Sequence, residues 1–161
     1  MMVDEWRRQT KPIVYEGGIH MPYSWTVGRT GSRFFIELRD NGRIMATRCT
    51  QCNVVWVPPR LRCPVCLRQI ENDDWREVGP LGNLRHFTIV RYEQPAQPMK
   101  PPFAYGLIDL DGADRAIVHF ILGADLSQLK SGMRVRPVFK QDRSGSFLDI
   151  NYFTPVGEKT E

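Results

Sequence analysis

The stretch "RCTQCNVVWVPPRLRCPVC", residues 48–66, contains every cysteine of the chain in two Cys-x-x-Cys pairs. Each pair presents two sulfurs from one tight turn, and four thiolates fill the tetrahedral coordination sphere of Zn²⁺. No position then remains for water or substrate, so the expected metal is structural. We predict a structural zinc site whose ligands are Cys49, Cys52, Cys63 and Cys66. A rubredoxin-type iron centre and a redox-active cysteine pair are the alternatives.

The segment between the two cysteine pairs, "NVVWVPPRLR", predicts how the ribbon folds. Val54 to Val57 is rich in β-branched and aromatic residues, which favour a strand. Proline has no N–H to donate to a neighbouring strand, so Pro58-Pro59 ends this one. We expect a β-hairpin in which Pro58-Pro59 turns the chain back.

Positions 43–68 contain five arginines and no acidic residue. One interpretation is that these arginines offset the net charge of about −2 on a zinc tetrathiolate. The other is that Arg60 and Arg62, just past the two prolines, bind a phosphate or a partner's carboxylate. The five arginines are Arg43, Arg48, Arg60, Arg62 and Arg68.

Beyond the cysteines the apolar pattern changes from helical to strand-like. Residues 123–132, "GADLSQLKSG", read as a turn or short helix between the third and fourth strands, where an OB-fold carries its helix. The connection 94–102 has four prolines and is expected to project from the barrel as a stiff, extended loop. The five predicted strands are 84–93, 103–111, 115–122, 133–140 and 146–154.

The N-terminal part of the chain predicts an aromatic arm followed by a helix. Tyr15, Tyr23 and Trp25 lie in an extended or hairpin arm that packs on its own domain or on a partner. Apolar residues spaced by three and four predict a short amphipathic helix over 32–40, ending at Asn41-Gly42.

The fold class that follows is mainly β. We expect an N-terminal arm and short helix, a rubredoxin-like four-cysteine zinc ribbon, a C-terminal five-stranded OB-fold barrel and a short tail. The predicted boundaries of these four parts are 1–42, 43–75, 76–157 and 158–161.

The 161-residue chain carries 22 Lys and Arg against 18 Asp and Glu, a formal net charge of +4. Zinc held by four thiolates lowers that charge by about 2. So small a charge, with only five lysines, disfavours a nucleic-acid tail. The first residues have no apolar signal-peptide core, and no stretch reaches the roughly 18 apolar residues that span a bilayer. We therefore expect a cytoplasmic protein, in which paired cysteines bind metal rather than form disulfides.

Motifs that carry catalysis are missing from the sequence. There is no cysteine outside the two pairs, no Gly-x-Ser-x-Gly elbow, no phosphate-binding Gly-rich loop and no His-Glu-x-x-His. His20, His86 and His119 lie far apart, and the last two fall in predicted strands, where a hydrogen-bonded structural role is commoner than a catalytic one. We expect no catalytic residue, and a chain that is not catalytic by itself.

The order of these parts resembles a known family. The motifs "RFFIELRDNGRIMATRCTQCNVVWVPPRLRCPVC", "GNLRHFTIVRY", "FAYGLIDLDG" and "SGMRVRPVF" are similar to those of zinc-ribbon/OB-fold, acyl-CoA-associated proteins that accompany thiolases, over residues 32–155. The resemblance implies a non-catalytic accessory subunit that binds a thiolase-like catalytic subunit in a hetero-oligomer and helps complete its acyl-CoA site. It also implies structural zinc. Binding of coenzyme A phosphates by Arg60 and Arg62 is a hypothesis of our own.

Two other classes of function stay open. Zinc ribbons and OB-folds also bind single-stranded nucleic acid, and Arg134, Arg136 and Lys140 lie along one face of the fourth predicted strand. A solvated barrel exterior explains that stripe equally, so nucleic acid is the less favoured partner. The last class is a stand-alone acyl-CoA carrier or hydratase-like enzyme, which turnover by the purified chain alone would reveal.

Overall fold

The structure is a computed structural model that describes residues 9–15, 17–18, 21–71, 74–95 and 97–156. His20 and the predicted tail 158–161 lie outside these residues. The fold is mainly β, as predicted. No helix in the described ranges has the length and apolarity needed to span a bilayer. The elements are α1 (Gly28–Ile36), a π-helical turn (Glu37–Asn41), β1 (Ile44–Cys49), β2 (Val54–Trp56), β3 (Trp75–Val78), β4 (Gly82–Val90), β5 (Phe103–Leu110), β6 (Ile117–Ile121), β7 (Arg134–Phe139) and β8 (Ile150–Pro155).

The predicted helix is present but begins four residues earlier, at Gly28. Its first turn, "GRTG", has no apolar spacing, so periodicity does not reveal it. Phe34 and Leu38, one turn apart, are both fully buried against the core. The helical region ends where expected, because Gly42 has the left-handed φ of 60° that glycine adopts without strain.

The ribbon is a three-stranded antiparallel sheet in the order β2-β1-β3. The hairpin joins β1 to β2 through the first cysteine turn, so the prediction of a hairpin at Pro58-Pro59 is wrong. The turn at 50–53 has already reversed the chain, and Asn53 there has a left-handed φ of 53°. Between the prolines and β3, the described residues form one backbone bridge, which pairs Arg62 with Gln69. β1 and β3 were not predicted.

The C-terminal half is a closed five-stranded barrel in the order β4-β5-β6-β8-β7. Each of the five predicted strands is present, with ends displaced by a few residues. β6 and β8 pair in parallel and the other neighbours are antiparallel, which is the OB-fold arrangement. The segment between β6 and β7 forms a short 3₁₀ helix, Leu126–Gln128.

Ribbon and barrel share one hydrophobic core. Val57 and Val78 of the ribbon belong to the same buried cluster as Ile117 and Val135 of the barrel. At the junction, the Val55 N–H donates to Asp114 Oδ2 (2.7 Å), and the Asp114 N–H donates to the Val55 carbonyl (3.0 Å). The ribbon is therefore fixed on the barrel rather than tethered to it.

Candidate functional site

The four cysteine sulfurs converge at one point of the ribbon, within 4.8 Å of one another. The Sγ atoms of Cys49 and Cys66 are 3.5 Å apart, and those of Cys52 and Cys63 are 3.9 Å apart. A tetrahedral zinc tetrathiolate with Zn–S bonds of about 2.3 Å places its sulfurs about 3.8 Å apart, so the donor set fits zinc. Four thiolates leave no open position, and the site is a structural zinc site.

Hydrogen bonds to the cysteine sulfurs shift the pKa values of the thiols in this site. The Cys52 N–H donates to Cys49 Sγ (3.4 Å), as is typical of a cysteine turn. Backbone N–H groups of Cys66 and Val65 lower the pKa of the Cys63 thiol, whereas hydrogen bonding to Cys66 raises the pKa of Cys52. Four thiols this close cannot all ionise without a positive charge between them, so metal binding and ribbon folding are linked.

The ribbon arginines divide into two groups. Arg43 pairs with Glu37 of the π-helical turn (2.7 Å), while Arg48 and Arg68 donate to Asn53 and Thr50 of the first cysteine turn, so these three have partners within the fold. The other group consists of the two predicted ligand-binding residues, Arg60 and Arg62.

Arg60 and Arg62 follow the two prolines. The Arg60 backbone is held by Thr47 Oγ1, which accepts its N–H (2.8 Å) and donates to its carbonyl (3.2 Å). Its guanidinium contacts no partner in the part of the chain that the structure describes. Arg62 makes one long bond, to the Leu67 carbonyl (3.3 Å). Their binding of a ligand stays a prediction.

The histidines that the structure describes differ in environment. His119 is buried in the barrel, where its Nδ1 accepts the Phe120 N–H (2.9 Å) and its Nε2 faces the Phe147 carbonyl (3.4 Å). Burial lowers the pKa of His119, which favours the neutral ring. His119 therefore has the structural role that was predicted for it. His86 is exposed on β4.

The surface on which OB-folds bind nucleic acid is partly closed here. That surface spans the second and third barrel strands and the adjoining loops, and it carries Phe120, which packs on Tyr105 with ring centroids 4.9 Å apart. Phe120 is only 6% exposed. Met99, from the connection expected to project, lines a small pocket with Phe120 and Leu148 instead. This part of the loop lies against the barrel and limits base stacking.

The basic stripe of the fourth predicted strand is also reduced. Arg134 donates to Asp111 (2.9 Å) and to Asn83 (3.1 Å), which leaves Arg136 and Lys140 as its exposed charges. Two separate charges and a covered aromatic ring make a poor surface for single-stranded nucleic acid.

The described part of the N-terminal arm is exposed throughout residues 9–27. The described residues of the arm therefore lie on the surface, and packing of the arm on a partner stays a prediction. Tyr23 and Trp25 contact each other, with ring centroids 5.2 Å apart, yet stay 70% and 72% exposed. Seven large apolar side chains of the arm are at least half exposed: Ile13, Val14, Tyr15, Met21, Tyr23, Trp25 and Val27.

Two family models match the chain. Residues 37–71 match the rubredoxin-like zinc ribbon domain of ChsH2, and residues 75–140 match the C-terminal OB-fold domain of ChsH2. A DUF35 domain-containing scaffold protein of Methanocaldococcus jannaschii is 24% identical over 128 residues, which cover 77% of this chain and 89% of that protein.

Two solved structures share the fold. A chain of the Ltp2-ChsH2(DUF35) aldolase has 19% sequence identity and a TM-score of 0.60, over 82% of this chain and 98% of its own length. A DUF35-family protein of unknown function from Sulfolobus solfataricus has 20% identity and a TM-score of 0.60, over 80% of this chain and 87% of its own.

Proposed function

Because the chain belongs to the ChsH2/DUF35 family of zinc-ribbon and OB-fold proteins, we propose that it is a non-catalytic accessory subunit that binds a catalytic partner. The finer proposal is that the partner is thiolase-like and acts on acyl-CoA. One relative is named a scaffold protein, and one structural neighbour is named for two proteins, Ltp2 and ChsH2, together with an aldolase activity. These names support the role of an accessory subunit that binds a catalytic partner.

The main observation in support of a protein partner is the exposed apolar arm. Exposed apolar side chains clustered in one segment mark sites of protein–protein contact, and burying one such side chain contributes about 1.5–3 kcal/mol. Seven of them within residues 13–27 therefore supply free energy on the scale of an interface, less the cost of ordering the arm. A groove of about 430 Å³ beside Val27, lined by Phe35, Ile36 and Phe147, continues the surface.

The chemistry of the complex is assigned to the partner. The closed four-cysteine site offers no position to substrate, and His119 is committed to backbone contacts. Arg60 and Arg62 are proposed to contact the phosphates of coenzyme A at the shared site, since guanidinium groups bind phosphate oxygens in pairs. The Thr47 hydrogen bonds support this role because they fix the Arg60 backbone, and hence the point on the ribbon from which its free side chain extends.

Native mass spectrometry of the protein purified from its own host tests the proposal. We expect a zinc-loaded chain bound to a thiolase-sized subunit. The double variant Tyr23→Ser/Trp25→Ser should stay zinc-loaded but leave the complex, whereas Tyr92→Ser, which removes an aromatic ring that is 66% exposed elsewhere, should assemble normally. Normal assembly of the double variant, or retention of nucleic acid instead of a protein, would contradict the proposal.

A further inference from the structure

A cleft of about 320 Å³ lies between the first half of α1 and the zinc ribbon. The helix contributes Arg29 and Arg33 to it, and the ribbon contributes Leu61 and Trp75. These four residues come from three separate segments of the chain, so the cleft exists only in the folded protein. None of the functional residues predicted from the sequence lines it.

The cleft brings two positive charges together, and the described carboxylate that acts electrostatically on Arg33, Glu37, does not line it. Arg29 and Arg33 are one helical turn apart, a spacing at which like charges destabilise a helix. Neither forms an ion pair within the chain segments that the structure describes, and the cleft's one carboxylate, Glu71, reaches neither of them. Other arginines do pair with carboxylates: Arg39, Arg43, Arg85 and Arg134.

Arg33 is held in place by an aromatic ring. Its guanidinium carbon lies 4.4 Å from the centroid of the Trp75 ring. A guanidinium stacked on a ring keeps its in-plane N–H donors available, and these match the oxygen spacing of a phosphate. Arg33 is therefore an oriented donor rather than a freely moving surface charge.

The remaining groups of the cleft fit an organic phosphate. Thr30 and Gln69 add a hydroxyl and an amide donor, and Leu61, 58% exposed, offers apolar surface beside them. A phosphate monoester, with three terminal oxygens and a charge near −2, matches two guanidinium groups better than a carboxylate does. We propose that this cleft binds a phosphate monoester, the 3′-phosphate of coenzyme A.

The phosphate site follows from the cleft alone, and the choice of coenzyme A rests on the proposed function. Leu61 stands in the chain between Arg60 and Arg62, the two arginines assigned to coenzyme A phosphates. Coenzyme A carries a 3′-phosphate monoester and a 5′-diphosphate on one ribose, and the proposal places the monoester in the cleft and the diphosphate at the ribbon arginines.

The test is calorimetric titration of the full-length, zinc-loaded chain at low salt with three probes: coenzyme A, dephospho-coenzyme A and adenosine 3′,5′-bisphosphate. We expect coenzyme A and the bisphosphate to bind at least tenfold more tightly than dephospho-coenzyme A, which lacks the 3′-phosphate. Arg29→Ala, which removes a side chain with no described contact, should weaken both by about tenfold. Arg29→Ala/Arg33→Ala should abolish binding. The control Arg91→Ala/Arg136→Ala removes the same charge from exposed arginines and should bind normally.

Equal affinity for coenzyme A and dephospho-coenzyme A would overturn the cleft assignment, as would equal losses in the cleft variant and the control. Binding lost in Arg60→Ala/Arg62→Ala but kept in Arg29→Ala/Arg33→Ala would also overturn it, while leaving the proposed function intact. Binding of the bisphosphate without coenzyme A would support the phosphate site and contradict the acyl-CoA part of the proposed function.

Discussion

Asp149 shows how a single buried charge organises the surroundings of the arm. Its carboxylate accepts backbone N–H groups of Ser144 (3.0 Å), Gly145 (2.7 Å) and Ser146 (3.1 Å). Burial alone raises the pKa of Asp149, but these hydrogen bonds together hold it below the usual range. The loop that they shape carries Phe147, which stacks on the helix residue Phe34.

Replacing Asp149 with Asn should destabilise the fold by about 1–3 kcal/mol at neutral pH, because three backbone N–H groups lose a charged, buried acceptor. The folded-state pKa is depressed, so this stabilisation is present above the unfolded pKa, near 4, and is lost as pH falls through the folded pKa. The free energies of unfolding of the two proteins, measured with urea between pH 7 and 3, should therefore converge as the pH falls. Asp142→Asn, an exposed acid of the same loop, is the control. If the difference in free energy of unfolding between the two proteins stayed constant across this pH range, the stabilising role of the Asp149 carboxylate would be contradicted.

At the scale of elements, the sequence predicted most accurately where one face of a strand is buried. The alternating burial of β5 (Phe103–Leu110) is the pattern that its residues suggest. β1 (Ile44–Cys49) is buried on both faces and shows no alternation, and β3 (Trp75–Val78) has a charged centre, so neither has a strand signature. The hairpin at Pro58-Pro59 was misplaced because the cysteine turn reverses the chain first.

Asp114 is the element-scale link between ribbon and barrel. Asp114→Ala removes the acceptor of the Val55 N–H at the edge of β2 and should cost about 1 kcal/mol of stability. Hydrogen exchange at Val55 should accelerate while exchange in the barrel strands changes little. Asp142→Ala serves as the control. Unchanged exchange at Val55 would show that the junction does not depend on this carboxylate.

The arm should contribute nothing to the stability of the isolated chain. Tyr23→Ser/Trp25→Ser replaces side chains that contact each other but not the core, so the free energy of unfolding should change by less than about 0.5 kcal/mol. Urea unfolding and zinc content measure this directly. A loss of 2 kcal/mol or more would mean that the arm packs on its own domain, and the interface argument would then fail.

At the scale of the whole molecule, the zinc site and the barrel should unfold together. The ribbon's Val57 and Val78 belong to the same core as the barrel, and zinc binding is also folding free energy for the ribbon. Removal of zinc by a chelator, or the variant Cys63→Ser, should lower the melting temperature of the whole chain in one transition. Circular dichroism, with zinc quantified by mass spectrometry, measures the effect. An unchanged melting temperature after complete zinc removal would contradict the shared core.

The metal site could be predicted from the sequence, whereas the cleft between α1 and the ribbon could not. The four ligands lie within residues 49–66, and their spacing alone specifies the chemistry. Arg33 and Trp75 are far apart in the chain, and only packing of α1 against the ribbon places one over the other. Sequence also left open what the arm packs on, because exposure is a property of the folded chain.

Acyl-CoA turnover by the co-purified catalytic subunit, titrated with this chain, tests the central claim most directly. The accessory role predicts little turnover by either protein alone and a rise that saturates when the two reach their stoichiometric ratio. The zinc-loaded double variant of Tyr23 and Trp25 should give no such rise. Full turnover by the partner without this chain, or turnover by this chain alone, would contradict the accessory role.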